Sequence, residues 1–380
     1  MKTYYFLVII VFLLSSCSSE KKQGDLPEIP VDIEQSNPLS LSEITEEITT
    51  IGLELTDESI INPDEVGTVI ISGNDVYIAC WFEILVFNND GKFVRSIGSK
   101  GQGPGEFSTP VSNLAIDERN NHLFALSGHR IFCYDLTGKF LKVSRPFNSS
   151  STEITMFYPE IIDYINDELL ISGNKVFRDA DGSRFVSSMI YRLNDDFQIT
   201  DSFTVRNNYY EGGQVYQKPK YRILKGNTSV YMYYSELYRI LSLPGVSLRA
   251  PAEVVLRDTL YRFEKNLFVP DLKLKFKNDG ISNGHKFIDL FYIYRSSRYV
   301  FSNYQNNLNE NKYYFCYDTK TGKGYNMQDG FTDDINGIDK PVKIRPFSHD
   351  TEMFYYLHTN MNPGDLEEPN PTLYIGKLKK

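Results

Sequence analysis

Residues that commonly build catalytic centres are scarce in this chain of 380 residues. It contains five histidines, four cysteines and one tryptophan. The histidines form no HxH or HExxH pair, and the cysteines form no CxxC pair, so the sequence holds no local metal-ligand motif. We therefore predict that the protein uses no metal and no cofactor.

Positive charge is also in short supply. Lys and Arg total 40 against 49 Asp and Glu, which gives a net charge of −9 at neutral pH. Nucleic-acid partners are disfavoured, because a phosphate backbone attracts a basic surface. Aromatic residues are plentiful, with 27 Tyr and 25 Phe, and this composition favours β-structure.

No apolar run is long enough to span a bilayer. The longest, Tyr4–Leu14, has 11 residues, whereas a transmembrane helix needs about 20. Lys2 precedes it, as in the positively charged start of a secretory signal. The segment Leu14-Ser15-Ser16-Cys17 then resembles a bacterial lipobox. The resemblance implies that residues 1–16 are a signal peptide and that Cys17 carries the lipid.

The residues after Cys17 are polar, small or proline, with Pro27, Pro30 and Pro38 among them. Such a composition buries little apolar surface, so we predict an extended tether over residues 17–44. By resemblance to envelope sorting rules, Ser18 favours the outer membrane over the inner one. Both a periplasmic and a surface-facing position stay open.

From residue 45 onward the chain consists of short strand-like runs separated by turn residues. Residues 66–97 give four such runs, and residues 111–143 repeat the order at an offset of 47. Asn89-Asp90-Gly91 is a strong hairpin signal within the first unit. A period of about 40–50 residues with four strands per unit is typical of β-propeller blades.

Counting these units predicts a six-bladed β-propeller of four-stranded antiparallel blades over residues 45–380. Five units are complete, with a polar loop over 174–185 in the third. The last unit has three runs, so we predict that Ile48–Leu55 completes its sheet and closes the ring. In the fourth blade both Ser235–Ile240 and Asp258–Phe263 fit the third strand. The alternative architecture is a pair of β-sandwiches.

The cysteines after Cys17 lie in apolar strand-like runs. Because buried cysteine behaves as a small hydrophobic residue, Cys80, Cys133 and Cys316 are predicted to be buried thiols, with a single disulfide as the alternative.

Several segments resemble a known family. Gly98–Phe107 (GSKGQGPGEF) followed by Pro110 resembles the link between blades in NHL-type propellers. Together with LSEI at 41–44, DTLY at 258–261 and NPTLYIGKLK at 370–379, it resembles the six-bladed, NHL-like propeller lipoproteins of glycan-degrading gut bacteria. The resemblance implies the fold and says little about activity. Of the NHL ligand positions only Arg130 matches.

Propeller ligands commonly bind where second-to-third-strand turns and blade links meet. Trp81 is predicted to stack on a sugar or aromatic ring, and Arg130 to pair with an anion. The alternatives are packing of Trp81 on Phe82 and a solvated turn at 129–130. Acidic pairs, Asp333-Asp334 included, are predicted to be solvated. The candidate ligand-binding residues on this face are Trp81, Glu83, His129, Arg130, Arg184, Tyr234 and His358.

Taken together, the sequence favours a non-catalytic outer-membrane lipoprotein. It would be held to the membrane by its N-terminal lipid and offer a rigid face to a glycan or another small molecule, in glycan uptake or envelope sensing. One alternative is a hydrolase or lyase that acts on a sugar or peptide at the propeller axis. Another is a scaffold that docks onto an outer-membrane transporter. No nucleic-acid partner is expected.

Overall fold

The computed structural model describes most of the chain from Leu26 onward. Residues 1–25, which include the predicted signal peptide and Cys17, lie outside the described residues, and so does Tyr234. The described ranges are 26–147, 155–178, 184–210, 215–217, 222–225, 230–233, 238–243, 246–251, 256–264, 267–282, 285–360 and 368–380.

The first half of the chain holds two N-terminal strands and three complete blades. Before the blades lie β1 (Glu28–Val31), the short helix α1 (Leu41–Ile44), β2 (Thr45–Gly52) and a 3-10 turn (Pro63–Glu65). Blade 1 contains β3 (Val66–Ser72), β4 (Asp75–Cys80), β5 (Glu83–Asn88) and β6 (Phe93–Ile97). Blade 2 contains β7 (Val111–Asp117), β8 (His122–Ser127), β9 (Arg130–Asp135) and β10 (Phe140–Val143). Blade 3 contains β11 (Thr155–Ile165), β12 (Glu168–Arg178), β13 (Arg184–Leu193) and β14 (Ile199–Tyr210).

The second half of the chain holds blades 4 to 6 and the strands between them. The fourth region contains β15 (Val215–Gln217), β16 (Arg222–Lys225), β17 (Val230–Tyr233), β18 (Tyr238–Leu243), β19 (Val246–Pro251), β20 (Thr259–Glu264) and β21 (Leu267–Phe276). A 3-10 turn (Lys277–Gly280), β22 (Ile281–Ser282) and β23 (His285–Lys286) lead to blade 5, with β24 (Ile288–Arg295), β25 (Tyr299–Asn306), β26 (Asn311–Asp318) and β27 (Lys323–Gln328). Then come β28 (Phe331–Asp333), β29 (Ile338–Val342), β30 (Arg345–Pro346), β31 (Met353–His358) and β32 (Thr372–Leu378).

Strand pairing confirms the predicted six-bladed, all-β propeller. Blades 1, 2, 3 and 5 each pair four consecutive strands antiparallel. Blade 4 has the order β16-β17-β20-β21, so its third strand is the run at Thr259–Glu264. The competing run forms β18, which pairs with β15 and β19 in a separate small sheet. The predicted polar loop of blade 3 is shorter than expected, because β12 reaches Arg178 and β13 begins at Arg184.

The last blade is completed by a strand from the other end of the chain. Its sheet has the order β30-β31-β32-β2. β2 pairs antiparallel with β32, with Ile48 opposite Gly376 and Ile51 opposite Leu373. Both Ile51 and Leu373 are buried, so the apolar residues of the N-terminal strand and the final strand pack into one core.

The predicted tether is wrong from Leu26 onward. β1 pairs in parallel with β21 as a fifth strand on the outer edge of blade 4. Its alternate residues Ile29 and Val31 are buried, and an edge strand tolerates Pro30 because its N–H position needs no ladder partner. Farther along, Leu39 and Leu41 are buried as well. The prolines in this segment suggested an extended tether. The alternating apolar residues Ile29 and Val31 instead pack the segment against the propeller.

The three cysteines after Cys17 are buried free thiols, as predicted for Cys80, Cys133 and Cys316. Burial raises the pKa of the Cys80 thiol to about 12, so this side chain stays protonated at neutral pH.

A partly buried polar cluster joins blades 4, 5 and 6. Arg295 Nη1, at the end of β24, contacts Asp271 Oδ2 at 2.6 Å, and its Nε lies 3.6 Å from Asp350 Oδ1. The backbone N–H of Arg295 donates to His349 Nδ1 at 3.3 Å. The His349 ring is fully buried and stacks on Tyr231 with centroids 4.9 Å apart. Side chains from three blades are thereby held in one arrangement.

His349 should make stability pH-dependent. Burial, aided by the positive charge of Arg295, holds the pKa of His349 well below 6.5. Below pH 6.5 the His349 side chain is therefore protonated in the unfolded chain but stays neutral in the folded protein. As a result, the free energy of unfolding falls as pH drops below 6.5, by up to about 1.4 kcal/mol per pH unit. We expect His349→Phe to flatten this slope in urea unfolding between pH 7.5 and 5.5. An equal slope in both proteins would contradict the assignment.

The join between β2 and β32 can be tested with two glycines. A Cβ on Gly376 would lie 2.1 Å from Phe354 Cζ, whose ring is buried and cannot retreat, whereas a Cβ on Gly52 meets nothing within 4 Å. We expect Gly376→Ala to cost about 1–3 kcal/mol of unfolding free energy by overpacking. Gly52→Ala, in the partner strand, should cost less than 0.5 kcal/mol. Urea denaturation measures both, and equal effects would contradict the packing described.

Candidate functional site

Blade topology places the described residues of the predicted site at one end of the propeller. In a four-stranded antiparallel blade, the turn between the second and third strands lies at the same end as the link to the next blade. We call this end the hairpin face. It carries the turn Trp81-Phe82 between β4 and β5, and the turn Gly128-His129 between β8 and β9. These two turns occupy equivalent positions in neighbouring blades.

Trp81 adopts a backbone conformation that is rare for residues other than glycine. Its φ is 45°, in the left-handed region, and Gly128 takes φ 58° at the equivalent position in blade 2. A bulky residue in this region costs free energy relative to glycine. Trp81 is nevertheless 48% exposed, and its ring centroid lies 5.8 Å from that of Phe82. An aromatic ring is thus presented to solvent on a strained turn.

Glu83 and Arg130 also occupy equivalent positions. Each is the first residue after its turn, since Cys80 pairs with Glu83 and Ser127 pairs with Arg130. Ser96 Oγ donates to Glu83 Oε2 at 2.8 Å, which fixes the carboxylate. The Arg130 side chain is exposed. The hairpin face therefore carries an acid on blade 1 and a base on blade 2, about one blade width apart.

The remaining predicted residues fall into three groups. His129 is half-buried beside Tyr158, with ring centroids 5.5 Å apart. His358 ends β31 at the hairpin face of blade 6, and burial together with Lys340 lowers its pKa. Arg184 begins β13 opposite Arg178, but its side chain lies outside the described residues, as does Tyr234. Blades 6, 1 and 2 thus each bring at least one predicted residue to this face.

The prediction of a solvated Asp333-Asp334 pair is wrong for Asp333. This carboxylate is buried, and Tyr356 Oη donates to its Oδ2 at 2.6 Å. Asn336 Nδ2 donates to the same group at 3.1 Å. The burial arises because β28, in the segment that links blades 5 and 6, brings Asp333 against Tyr356 of β31. No local sequence pattern predicts this contact.

One catalytic-looking motif was not among the predicted sites. Residues 280–284 read Gly-Ile-Ser-Asn-Gly, which matches Gly-x-Ser-x-Gly. In α/β-hydrolases that serine lies on a turn from a strand into a helix. Here Ser282 ends β22, and the next described element is the strand β23, which pairs antiparallel with it, with Ser282 opposite His285. A strand therefore follows Ser282 where a nucleophile elbow has a helix.

A cavity of about 500 Å³ lies between blades 3 and 4, and sequence analysis gave no sign of it. Its walls come from β14, from the residues around the start of β20, from β21 and from the link to blade 5. They combine charged, aromatic and aliphatic side chains: Val205, Arg206, Leu256, Arg257, Asp258, Thr259, Tyr261, Phe268, Lys273, Asp279 and Ile281.

Electrostatics in this cavity centre on Asp258. Its Oδ2 lies 3.4 Å from Lys273 Nζ, and Thr259 Oγ1 donates to its Oδ1 at 3.0 Å. Burial nevertheless raises the pKa of Asp258, because desolvation outweighs these two contacts. The pKa of Tyr261 is also raised by burial, while the nearby Arg206 opposes the shift. The cavity is polar, partly desolvated and of mixed charge.

Metal-ligand clusters and membrane-spanning helices are both absent from the described part of the chain. No three His, Cys, Asp or Glu side chains within it converge closely enough to hold a metal ion. Over the same residues, no helix combines the length and apolar character needed to cross a bilayer.

Residues 26–377 match a family described as a domain of unknown function, DUF4934. The chain belongs to the DUF4934 family. The match begins at the residue where the described structure begins and ends three residues before the last. The family therefore includes the N-terminal strands β1 and β2 along with the blades. No curated protein matches the sequence.

Among solved structures, a Bacteroides fragilis protein described as exported is similar with a TM-score of 0.55 and 18% identity, covering 93% of this chain and 99% of that one. This likeness supports the fold alone. The WD40 domain of Neurospora crassa Pan2 gives a TM-score of 0.40 at 8% identity, covering 83% and 76%. The β-propeller domain of the Pyrococcus furiosus Trilobed protease gives 0.36 at 10%, covering 83% of each.

The strain at Trp81 can be measured with two substitutions. Trp81→Ala and Trp81→Gly both remove the ring, but only glycine is relaxed at φ 45°. We expect the Gly variant to be more stable than the Ala variant by about 1 kcal/mol in urea unfolding. A more stable Ala variant would show that this turn stores no strain.

Proposed function

We propose that this protein is an exported, lipid-anchored binding propeller without catalytic activity, and that its ligand face is the hairpin face of blades 6, 1 and 2. The observation that carries the proposal is Trp81, an exposed ring on a strained turn. Glycine serves the same turn in the next blade at φ 58°. Tryptophan at this position costs conformational stability relative to glycine. Strained residues of this kind cluster at functional sites, so we infer that the exposed ring serves ligand binding.

The chemistry around Trp81 suits a polar ligand with a flat apolar face, such as a sugar ring in a glycan. An aromatic ring packs against such a face, while flanking charged groups hydrogen-bond its polar edge. Glu83 can accept hydrogen bonds from hydroxyl groups, and Arg130 can hold an anion with two parallel N–H bonds. A role in glycan uptake or envelope sensing is consistent with this arrangement.

The path of the N-terminal segment supports an outward-facing ligand face. β1 runs parallel to β21, toward the hairpin face, so its first residue, Glu28, lies at the outer edge of blade 4 and at the end opposite that face. Only eight residues separate Cys17 from Leu26. Fully extended, this stretch spans at most about 30 Å. A lipid on Cys17 would hold the propeller near the membrane with the hairpin face turned away.

Trp81 offers a direct test, because it is the sole tryptophan. Neutral and acidic oligosaccharides and peptides are titrated while tryptophan emission is recorded. We expect one class to shift the emission, and Arg130→Ala to weaken its binding at least tenfold without changing the melting temperature. Arg119→Ala, an exposed arginine at the opposite end of blade 2, is the matched control and should bind normally.

Three outcomes would redirect this proposal. If no member of the panel changes the emission, Trp81 is not the contact. Turnover of a bound glycan or peptide would favour the hydrolase or lyase alternative. Co-purification of the wild-type protein with an outer-membrane transporter from detergent extracts, unchanged in Trp81→Gly, would favour a docking scaffold that uses another surface.

The anchor is tested separately. Cys17→Ala removes the proposed acylation site, so we expect the protein to move from the membrane fraction to the soluble fraction with an unchanged melting temperature. Protease treatment of intact cells then distinguishes surface exposure from a periplasmic position. Membrane retention of the Cys17→Ala variant would overturn the lipid anchor.

A further inference from the structure

We propose that the cavity between blades 3 and 4 binds a small polyhydroxylated anion, such as a uronic acid or a short acidic oligosaccharide. This site is distinct from the Trp81 site, because it lies between blades 3 and 4, whereas Trp81 lies on blade 1. A volume of about 500 Å³ is within the range of small-ligand sites, about 300–1,000 Å³.

The cavity lies where the last strand of blade 3 faces the outer half of blade 4. Val205 and Arg206 come from β14 of blade 3. Leu256, Arg257 and Asp258 lie just before β20, and Lys273 lies in β21.

Three cationic side chains are among the described cavity residues, although the chain as a whole carries a net charge of −9. Arg206, Arg257 and Lys273 reach the cavity from three different elements, against the two carboxylates Asp258 and Asp279. Lys273 Nζ is 3.4 Å from Asp258 Oδ2, close enough for attraction but longer than a good charge-assisted hydrogen bond. An incoming carboxylate could share this ammonium group.

The carboxylates and rings narrow the ligand class. Asp258 is nearly buried, and a buried carboxylate in a cavity favours ligands that donate hydrogen bonds, as sugar hydroxyls do. Phosphate or sulfate alone would be repelled by Asp258 and would leave the apolar walls uncovered. Tyr261 and Phe268 offer surface for the C–H face of a sugar ring. A sugar that carries its own carboxylate can contact all three kinds of group in the cavity: the cationic side chains, the Asp258 carboxylate and the aromatic rings.

The test is calorimetric titration of the full-length protein with D-galacturonic acid, trigalacturonate, glucose and inorganic phosphate. We expect the galacturonates to bind, with affinity that falls as salt concentration rises, and glucose and phosphate to bind at least tenfold more weakly. Lys273→Gln should weaken galacturonate binding at least tenfold. Lys275→Gln is the matched control, because Lys275 lies two residues along the same strand and pairs with Glu28 outside the cavity.

Two further measurements test the cavity site without relying on the lysine variants. In the wild-type protein, galacturonate should protect Lys273 but not Lys275 from acetylation, as read by mass spectrometry, so the result does not depend on a variant that folds. Trp81→Gly should bind galacturonate normally, which separates this site from the proposed function. Equal binding of phosphate or glucose, equal loss in both lysine variants, or no binding of either galacturonate would overturn the inference.

Discussion

The pairing of β2 with β32 is the constraint on which the rest of the molecule depends. A blade has two apolar faces and can bury them only against its neighbours, so every sheet relies on a complete circle. The last sheet has three strands of its own, and the fourth arrives from residues 45–52. Gly376 lets the Phe354 ring pack directly on this join. The N-terminal strand β2 is therefore part of the apolar cluster between the last and the first blade.

Sequence patterns predicted what is decided locally. The 47-residue offset and the Asn89-Asp90-Gly91 turn identified the first two blades, and counting the later strand-like runs predicted six. Both steps succeeded because turn chemistry and alternation depend on neighbours along the chain. Blade 4 was ambiguous, because Ser235–Ile240 and Asp258–Phe263 show the same alternation. Only a partner strand decides between them, and β17 places Tyr231 opposite Arg262.

The site could be predicted only in part, for the same reason. Trp81 and Arg130 stand out in sequence because turns between second and third strands recur at known positions. The backbone strain at Trp81 could not be predicted from the sequence, because it depends on the φ angle of this residue. The structure shows that angle, and the glycine at the equivalent position in blade 2, Gly128, has a similar one. The burial of Asp333 and the cavity around Asp258 both depend on contacts between elements that are far apart in sequence, such as the contact of Tyr356 with β28. Such contacts cannot be predicted from composition or local patterns.

The outermost strand of blade 4 gives the protein a mechanical property. Because β1 lies parallel to β21, a pull on the chain ahead of Glu28 acts along the strand and loads its ladder bonds in shear, all at once, instead of peeling them off in turn. Shear is the geometry in which a short strand resists force best. A force on this segment would then load blade 4 before it reaches the pairing of β2 with β32.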